Sequence, residues 1–465
     1  MWEVHNRSRL TKCGYRVLNF ICCLKCHTLV TRRLNKSNVV TNTQFGGCCA
    51  SERVSTFAPY LEQFYAMKIN SITLFAALAA VIMLASCTRE GCTDPAATNY
   101  ADNADSDDGT CEYDVDAPAT YVFTDASGNS TVSYNGQRQR LNMLSEMTSY
   151  LKSANNPGTA LDANTLLAMY ANDGYTWDDT EGLDMTGSSK QLKSKTVGGE
   201  LFYTDMFEGY MTGISEASAL TVEGQTDGGL GQAGVVLSTT NPAKQYLQDA
   251  QGQEWTQLIE KGLMGACFAY NISSVYLASG KMDVDNTTPE DPANGKYYTK
   301  MEHHWDEAYG YFTDAVDYPT NGTNRFWGKY ANSRETLLGS ATKIGEAFRL
   351  GRAAISNDVM AVRDAQIAVI NAELERLAAG TAIHYLNDAV SDFGDDALRN
   401  HELSEAKAFI QALQFIAGTS VPTAEVEHLL EDLGEDYYNV TTATIIEVRD
   451  ELAALTGLTD KADQL

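Results

Sequence analysis

Two histidines and three carboxylates fall within residues 301–312, MEHHWDEAYGYF. Imidazoles and carboxylates bind zinc and non-haem iron, and they are the common general acids and bases. Chemistry is therefore expected here first. On a helical wheel Met301, Trp305, Ala308 and Phe312 share one stripe, the face of a core helix. His304, Glu307 and Tyr311 lie along its border, and His303 turns further toward solvent. The i, i+3 step from His304 to Glu307 puts an imidazole and a carboxylate on one face, where they can touch or share an ion. An iron or zinc site needs one or two more ligands. Candidates are His384, His401 with Glu405 at i+4, His428, Glu260, Glu200 and Glu346. His401 and Glu405 form the second candidate metal pair. Glu402 falls on the apolar stripe of its own helix and needs a partner, for which Arg349 and Arg352 are candidates. The competing reading is a packed helix with a polar edge, sealed by Trp305, Tyr309 and Tyr311.

Other catalytic patterns are missing. The chain has no Gly-x-Ser-x-Gly, no phosphate-binding Gly-rich lysine loop, no dinucleotide fingerprint after a strand and no Cys-x-x-Cys after residue 86. Cys267, in GLMGACFAY, reads as a buried apolar residue. No catalytic residue is assigned, and the reading leans away from an enzyme.

The elements that position these residues are mostly helical. From Gln137 onward apolar residues recur at three and four, beginning with Leu141, Leu144, Met147 and Leu151. Helices are expected over about 162–172, 199–218, 254–279, 299–316, 334–356, 359–379, 397–417, 422–433 and 442–456. Gly-, Pro-, Asn- and Asp-rich breaks separate them. Ahead of them, residues 121–124 and 131–134 flank DASGNS and predict a β-hairpin. The fold class is all-α, a multi-helix bundle with a small N-terminal β-hairpin. Gly262, Gly265, Gly345 and Gly351 interrupt good helices and predict close helix contacts.

The N-terminal part has another logic. Residues 67–86 hold one lysine and an apolar run of signal-peptide length, too short to span a bilayer. They end in Leu84-Ala85-Ser86-Cys87, which resembles a bacterial lipobox and implies lipidation of Cys87. Residues 1–66, basic and holding six of the ten cysteines, then read as a misassigned upstream extension. Without residues 1–86 the chain keeps 24 basic and 58 acidic residues, a net of −34 against −27 for the whole. Such a surface repels nucleic acid. The only membrane contact expected is the lipid anchor, and the expected location is the outer membrane, on its periplasmic or outer side. In that oxidising space Cys92 and Cys111 can pair, closing a loop worth roughly 3 kcal/mol. Residues 87–118 read as an acidic, disulfide-pinned tether. There Asp102, Asp105, Asp107 and Asp108 ahead of Gly109 resemble a calcium loop without EF-hand spacing. Residues 119–465 form the helical domain.

Several runs together resemble a family of exported Bacteroidetes lipoproteins known as a domain of unknown function. They include YVFTDASGNSTVSYNGQRQRLNML, AMYANDGYTWDD, QLIEKGLMGA, MEHHWDEAYGYF, KIGEAFRLGRAAI and HELSEAKAFIQAL, and they span about 120–460. That family is similar to imelysins, helical exported proteins linked to iron acquisition and once described as peptidases. The imelysin signature is Gly-x-His-x-x-Glu; His304 and Glu307 match its last two fixed positions, and Glu302 stands at the glycine. The resemblance implies a helical bundle, with two imelysin-like halves as an open alternative. It also implies a binding or accessory role in metal acquisition, with iron or zinc in the helical domain and an envelope transport partner. A metal-dependent hydrolase at the same pocket and a partner-binding lipoprotein without metal are the other expectations. A further His or acid converging on His304 and Glu307 favours metal; Trp305, Tyr309 and Tyr311 sealing the helix favours a structural role.

Overall fold

The computed structural model describes residues 89–465, apart from 94–96, 107, 109, 180–181 and 322–324. The proposed extension 1–66, the signal segment 67–86, Cys87 and Asp107 lie outside the described residues.

Helix α1 (Asn135–Ser153) buries Leu141, Leu144, Met147 and Leu151, the three-and-four spacing seen in the sequence. Helix α2 (Ala163–Ala171) starts at Asp162, whose carboxylate accepts from the backbone of Asn164 and Thr165. Helix α3 spans Leu201–Ala219. Next comes an antiparallel hairpin, β1 (Gly234–Leu237) and β2 (Gln245–Gln248), with Val235 opposite Leu247 and Val236 opposite Tyr246. The sequence reading placed a break here, because the strands are four residues each and glycines crowd their approach.

Helix α4 (Trp255–Leu263) does not run on to residue 279. It passes into π-helical turns, Met264–Ala269 and Asn271–Tyr276. Asn271 Nδ2 donates to the Cys267 carbonyl at 2.6 Å and to the Lys195 carbonyl at 2.8 Å within this widened stretch. A Cβ on Gly265 would come within 2.7 Å of Ala412 Cβ, so this glycine does allow close helix contact. After a short α5 (Ser279–Met282), strands β3 (Pro289–Asp291) and β4 (Lys296–Thr299) pair and lead into α6 (Lys300–Phe312). Thr299 and Glu302 close a reciprocal capping box that fixes where α6 begins.

The expected helix 334–356 is two helices, α7 (Phe326–Leu338) and α8 (Ser340–Ser356), split at Gly339, whose φ of +69° favours glycine. The expected 359–379 is the longer α9 (Met360–Ser391). It continues through Gly380, where a Cβ would come within 2.7 Å of the Leu338 side chain. Helices α10 (Asp396–Ala412), α11 (Thr423–Leu433) and α12 (Thr442–Leu455) complete the bundle. Helix α9 packs against α8, α10 and α12, and α10 also packs on α4. One apolar core joins them, and among the described residues the fold is all-α with two small antiparallel strand pairs. At the N-terminal side a single antiparallel bridge joins Thr124 and Ser130, with Thr131 N donating to the Phe123 carbonyl at 3.0 Å. Cys92 and Cys111 form a disulfide. Among the described residues no helix is long and apolar enough to cross a membrane.

Candidate functional site

Helix α6 turns its apolar stripe fully inward: Trp305, Ala308 and Phe312 are inaccessible, as is Tyr311. Trp305 Nε1 donates to the Phe348 carbonyl at 2.9 Å, and Tyr309 stacks on Tyr121 with ring centres 3.6 Å apart. Two of its acids close an ion cluster. Arg352, wholly buried, donates to Glu302 Oε1 at 2.7 Å and Asp306 Oδ1 at 3.0 Å, and to the Thr131 carbonyl at 3.0 Å. Tyr121 OH donates to Asp306 at 2.8 Å. Burial, against the pull of Arg352, pushes the Asp306 carboxyl up to about 6. These acids tie the segment before α1 to α6 and α8.

The candidate pair is placed differently from the wheel. His304 Nδ1 meets the Lys281 carbonyl at 2.8 Å; a carbonyl only accepts, so Nδ1 carries the proton and Nε2 the lone pair. Burial holds the ring below its ordinary value. Glu307 accepts from Gln137 Nε2 at 3.0 Å, and its nearer imidazole is His303, with Nε2 at 4.0 Å. Tyr276 and Lys195 stand beside it, Lys195 Nζ donating to Tyr276 OH at 3.2 Å.

Among the described residues, one group of three His, Cys, Asp or Glu brings ligand atoms within 4.8 Å of one another: His428, Asp432 and Glu451, at the surface of α11 and α12. His304 with Glu307, and Asp102, Asp105 and Asp108 of the tether, form no such group. His384 is occupied by the Leu465 carbonyl at 2.9 Å and Asp388 at 3.1 Å. Glu200 and Glu346 are exposed. Glu402 meets neither Arg349 nor Arg352, correcting the expected pairing: Arg352 is taken by α6, and Arg349 donates to the Tyr318 carbonyl at 2.7 Å. Instead burial, with Asp392 and Asp388 nearby, pushes the Glu402 carboxyl up to about 9.

The second pair, His401 and Glu405 on α10, opens on a cavity of about 450 Å³. Its wall is built by the β1–β2 hairpin. Asp395 caps α10 and also accepts from Ser238 Oγ at 2.7 Å and Thr240 N at 2.9 Å, pinning the hairpin turn to the helix start. That sets the Tyr246 ring on the His401 ring, centres 4.1 Å apart and nearly parallel. Glu254, inaccessible at the start of α4, takes His401 Nδ1 at 2.5 Å, while Nε2 lies 3.7 Å from Glu405 Oε2. A carboxylate thus stands at each ring nitrogen. The imidazole separates the two carboxylates, which is the geometry of a charge array and not of a chelate. Burial opposes the His401 charge, and Glu254 with Glu405 outweighs it, raising the ring above its usual value.

The array continues. Lys261 lies 3.3 Å from Glu405 and 2.9 Å from Glu260, and Glu260 lies 3.3 Å from Lys152. Burial disfavours the Lys261 ammonium, but these two glutamates hold it firmly charged. Tyr330 and Tyr385 bring their hydroxyls 3.3 Å apart beside Glu405. Glu254, Gln257, Lys261 and the tyrosines were not singled out from the sequence. A signal existed: Glu254, Gln257 and Lys261 recur at i, i+3 and i+7 on a helix otherwise carrying Leu258, Ile259 and Leu263. Lys261 and His401 are already paired with carboxylates, and the exposed amines at the edge of the cavity are those of Lys244 and Lys329. Burial pushes the Cys267 thiol up to about 12, leaving no thiolate.

No curated protein matches the chain, and no solved structure does either. The profile of a domain of unknown function, DUF4856, matches residues 118–459, which hold both polar clusters and the cavity between α4, α7, α9 and α10. The chain belongs to the DUF4856 family.

Proposed function

We propose that this protein is an exported, lipid-anchored envelope protein with a binding or accessory role, whose small-molecule ligand occupies the His401 cavity. The lipobox-like run ending at Cys87 supports the anchor and an outer-membrane location. The observation that carries the binding role is the cavity itself. Its volume lies within the roughly 300–1,000 Å³ of small-molecule sites, and its buried charges are already fixed by one another. Preset charges lower the cost of ordering the site on binding. A role in metal acquisition fits this cavity if the metal arrives as an anionic chelate, because Lys152, Lys244, Lys261 and Lys329 repel a bare cation.

The test is thermal denaturation with a panel of metal ions, organic anions, organic cations and neutral sugars, beside Ala243→Trp, a bulky change at an exposed lining residue. At least one class should raise the midpoint in the native chain and fail to do so in the variant. Stabilisation that survives Ala243→Trp, or none from any class, would sink this reading.

A second reading places iron or zinc at His304 and Glu307. It is favoured by the His304 tautomer, since a ring whose Nδ1–H is held by a carbonyl presents Nε2 to an ion. Metal content of the native chain and of a His304→Ala, Glu307→Ala variant decides it.

A further inference from the structure

The His401 cavity reverses the sign of the chain around it. The whole sequence carries 34 Lys and Arg against 61 Asp and Glu, yet the cavity is lined by Lys152, Lys244, Lys261 and Lys329 against Glu254 and Glu405. Glu260 pairs with Lys152 and Lys261 without lining the space; with it counted the lysines still outnumber the carboxylates, and a protonated His401 adds to them. The lining is also divided by depth. Lys244, Lys329 and Ala243 are exposed and mark the mouth, whereas Glu254, Gln257 and Glu405 are buried and mark the floor. Among the described residues, unpaired cations thus stand where a ligand enters, and the floor holds acceptors together with the buried Lys261 that pairs with Glu405.

The floor needs hydrogen-bond donors. Gln257 is 3% exposed, its Nε2 is committed to Glu254 Oε1 at 3.1 Å, and its Oε1 is buried with no hydrogen-bond partner. Leaving a buried acceptor unmet costs about 1–3 kcal/mol. A simple carboxylate only accepts and cannot meet it, but a hydroxyl can. Tyr246, Tyr330 and Tyr385 add ring faces for the C–H face of a compact ligand.

We propose that the ligand is a hydroxylated organic anion of sugar-acid size, its carboxylate at the lysine mouth and its hydroxyls on the Gln257 and Glu405 floor. This rests on the binding role above and names the ligand class for the same cavity. Charge sets the orientation: at the floor Lys261 and His401 already offset Glu405 and Glu254, whereas Lys244 and Lys329 give the mouth its excess of positive charge.

The experiment is calorimetric titration of the full chain with D-glucuronate, D-galacturonate and D-gluconate, beside D-glucose, which lacks the charge, and hexanoate, which lacks the hydroxyls. At least one sugar acid should bind roughly tenfold or more tighter than both controls, and the gap should shrink at high salt. Lys244→Glu with Lys329→Glu, both exposed, should weaken it by roughly tenfold or more with an unchanged melting midpoint. Glucose or hexanoate binding as tightly as the sugar acids, or affinity indifferent to the two lysine changes, overturns the ligand class. If instead an organic cation or a neutral sugar binds and Ala243→Trp abolishes it, the cavity remains a binding site and only the anion assignment fails. If no compound of any class binds, both fall.

Discussion

Two buried charge clusters sit in one helical domain and are built from the same residue types, yet one is closed and the other is open. Around Arg352, the oxygens of Glu302, Asp306 and Thr131 all meet donors, and a Tyr309–Tyr121 stack packs alongside. Around His401, the same kind of pairing between Glu254, His401, Glu405 and Lys261 lines a cavity, with Gln257 Oε1 unmet. Saturation marks a cluster that holds helices together. Charges fixed at the edge of a cavity mark one that can receive something. The histidine-rich helix, richest in reactive residue types, belongs to the first kind.

The comparison breaks most readily at Arg352. Arg352→Met leaves Glu302 and Asp306 buried without their cation and should cost about 3–5 kcal/mol in urea unfolding. A loss below about 1 kcal/mol would mean the cluster is not a closed one. Lys261→Met probes the open cluster, where Glu405 keeps His401 and Tyr330 and water can enter from the cavity. It should cost less, about 1–3 kcal/mol. Equal losses for the two variants would show that the cavity gives no relief.

The smallest effect is a pH dependence. The His401 value is raised in the folded chain, so its contribution to stability is complete below the unfolded value of about 6.5 and is lost as pH rises through the folded value. The stability of the native chain relative to His401→Gln should therefore be highest at and below about pH 6.5 and fall as pH rises through the folded value. A difference that grows with pH would mean the ring is neutral and the array is misread.

What the sequence showed follows from range. Local periodicity places α1 because Leu141, Leu144, Met147 and Leu151 each report on the same face within one helix. It fails at Gly339 and Gly380, where the same residue type splits one helix and passes silently through another; the difference is φ at the first and the Leu338 side chain at the second. The π-helical turns leave no mark in an apolar run, since their cause includes Asn271 reaching back to residue 195. His401 and Glu405 were visible at i, i+4, but their partners Glu254 and Lys261 lie some 140 residues earlier and meet them only through the packing of α4 on α10. The wheel turned His303 outward and it is the more exposed of the two histidines, but its partner could not be seen locally, because Ser133, whose carbonyl meets Nδ1 at 3.0 Å, is far off in sequence.

The hairpin turn between β1 and β2 supplies Ala243 and Lys244 to the mouth but is fastened to the bundle mainly through Asp395, Asn155 and the Tyr246 ring. Selectivity and scaffold are therefore carried by separable parts. Changes at Ala243 and Lys244 can retune what is admitted without touching the Thr239 and Thr240 bonds to Asp395 that hold the start of α10, so diversification of ligand preference within this architecture should concentrate at those two positions.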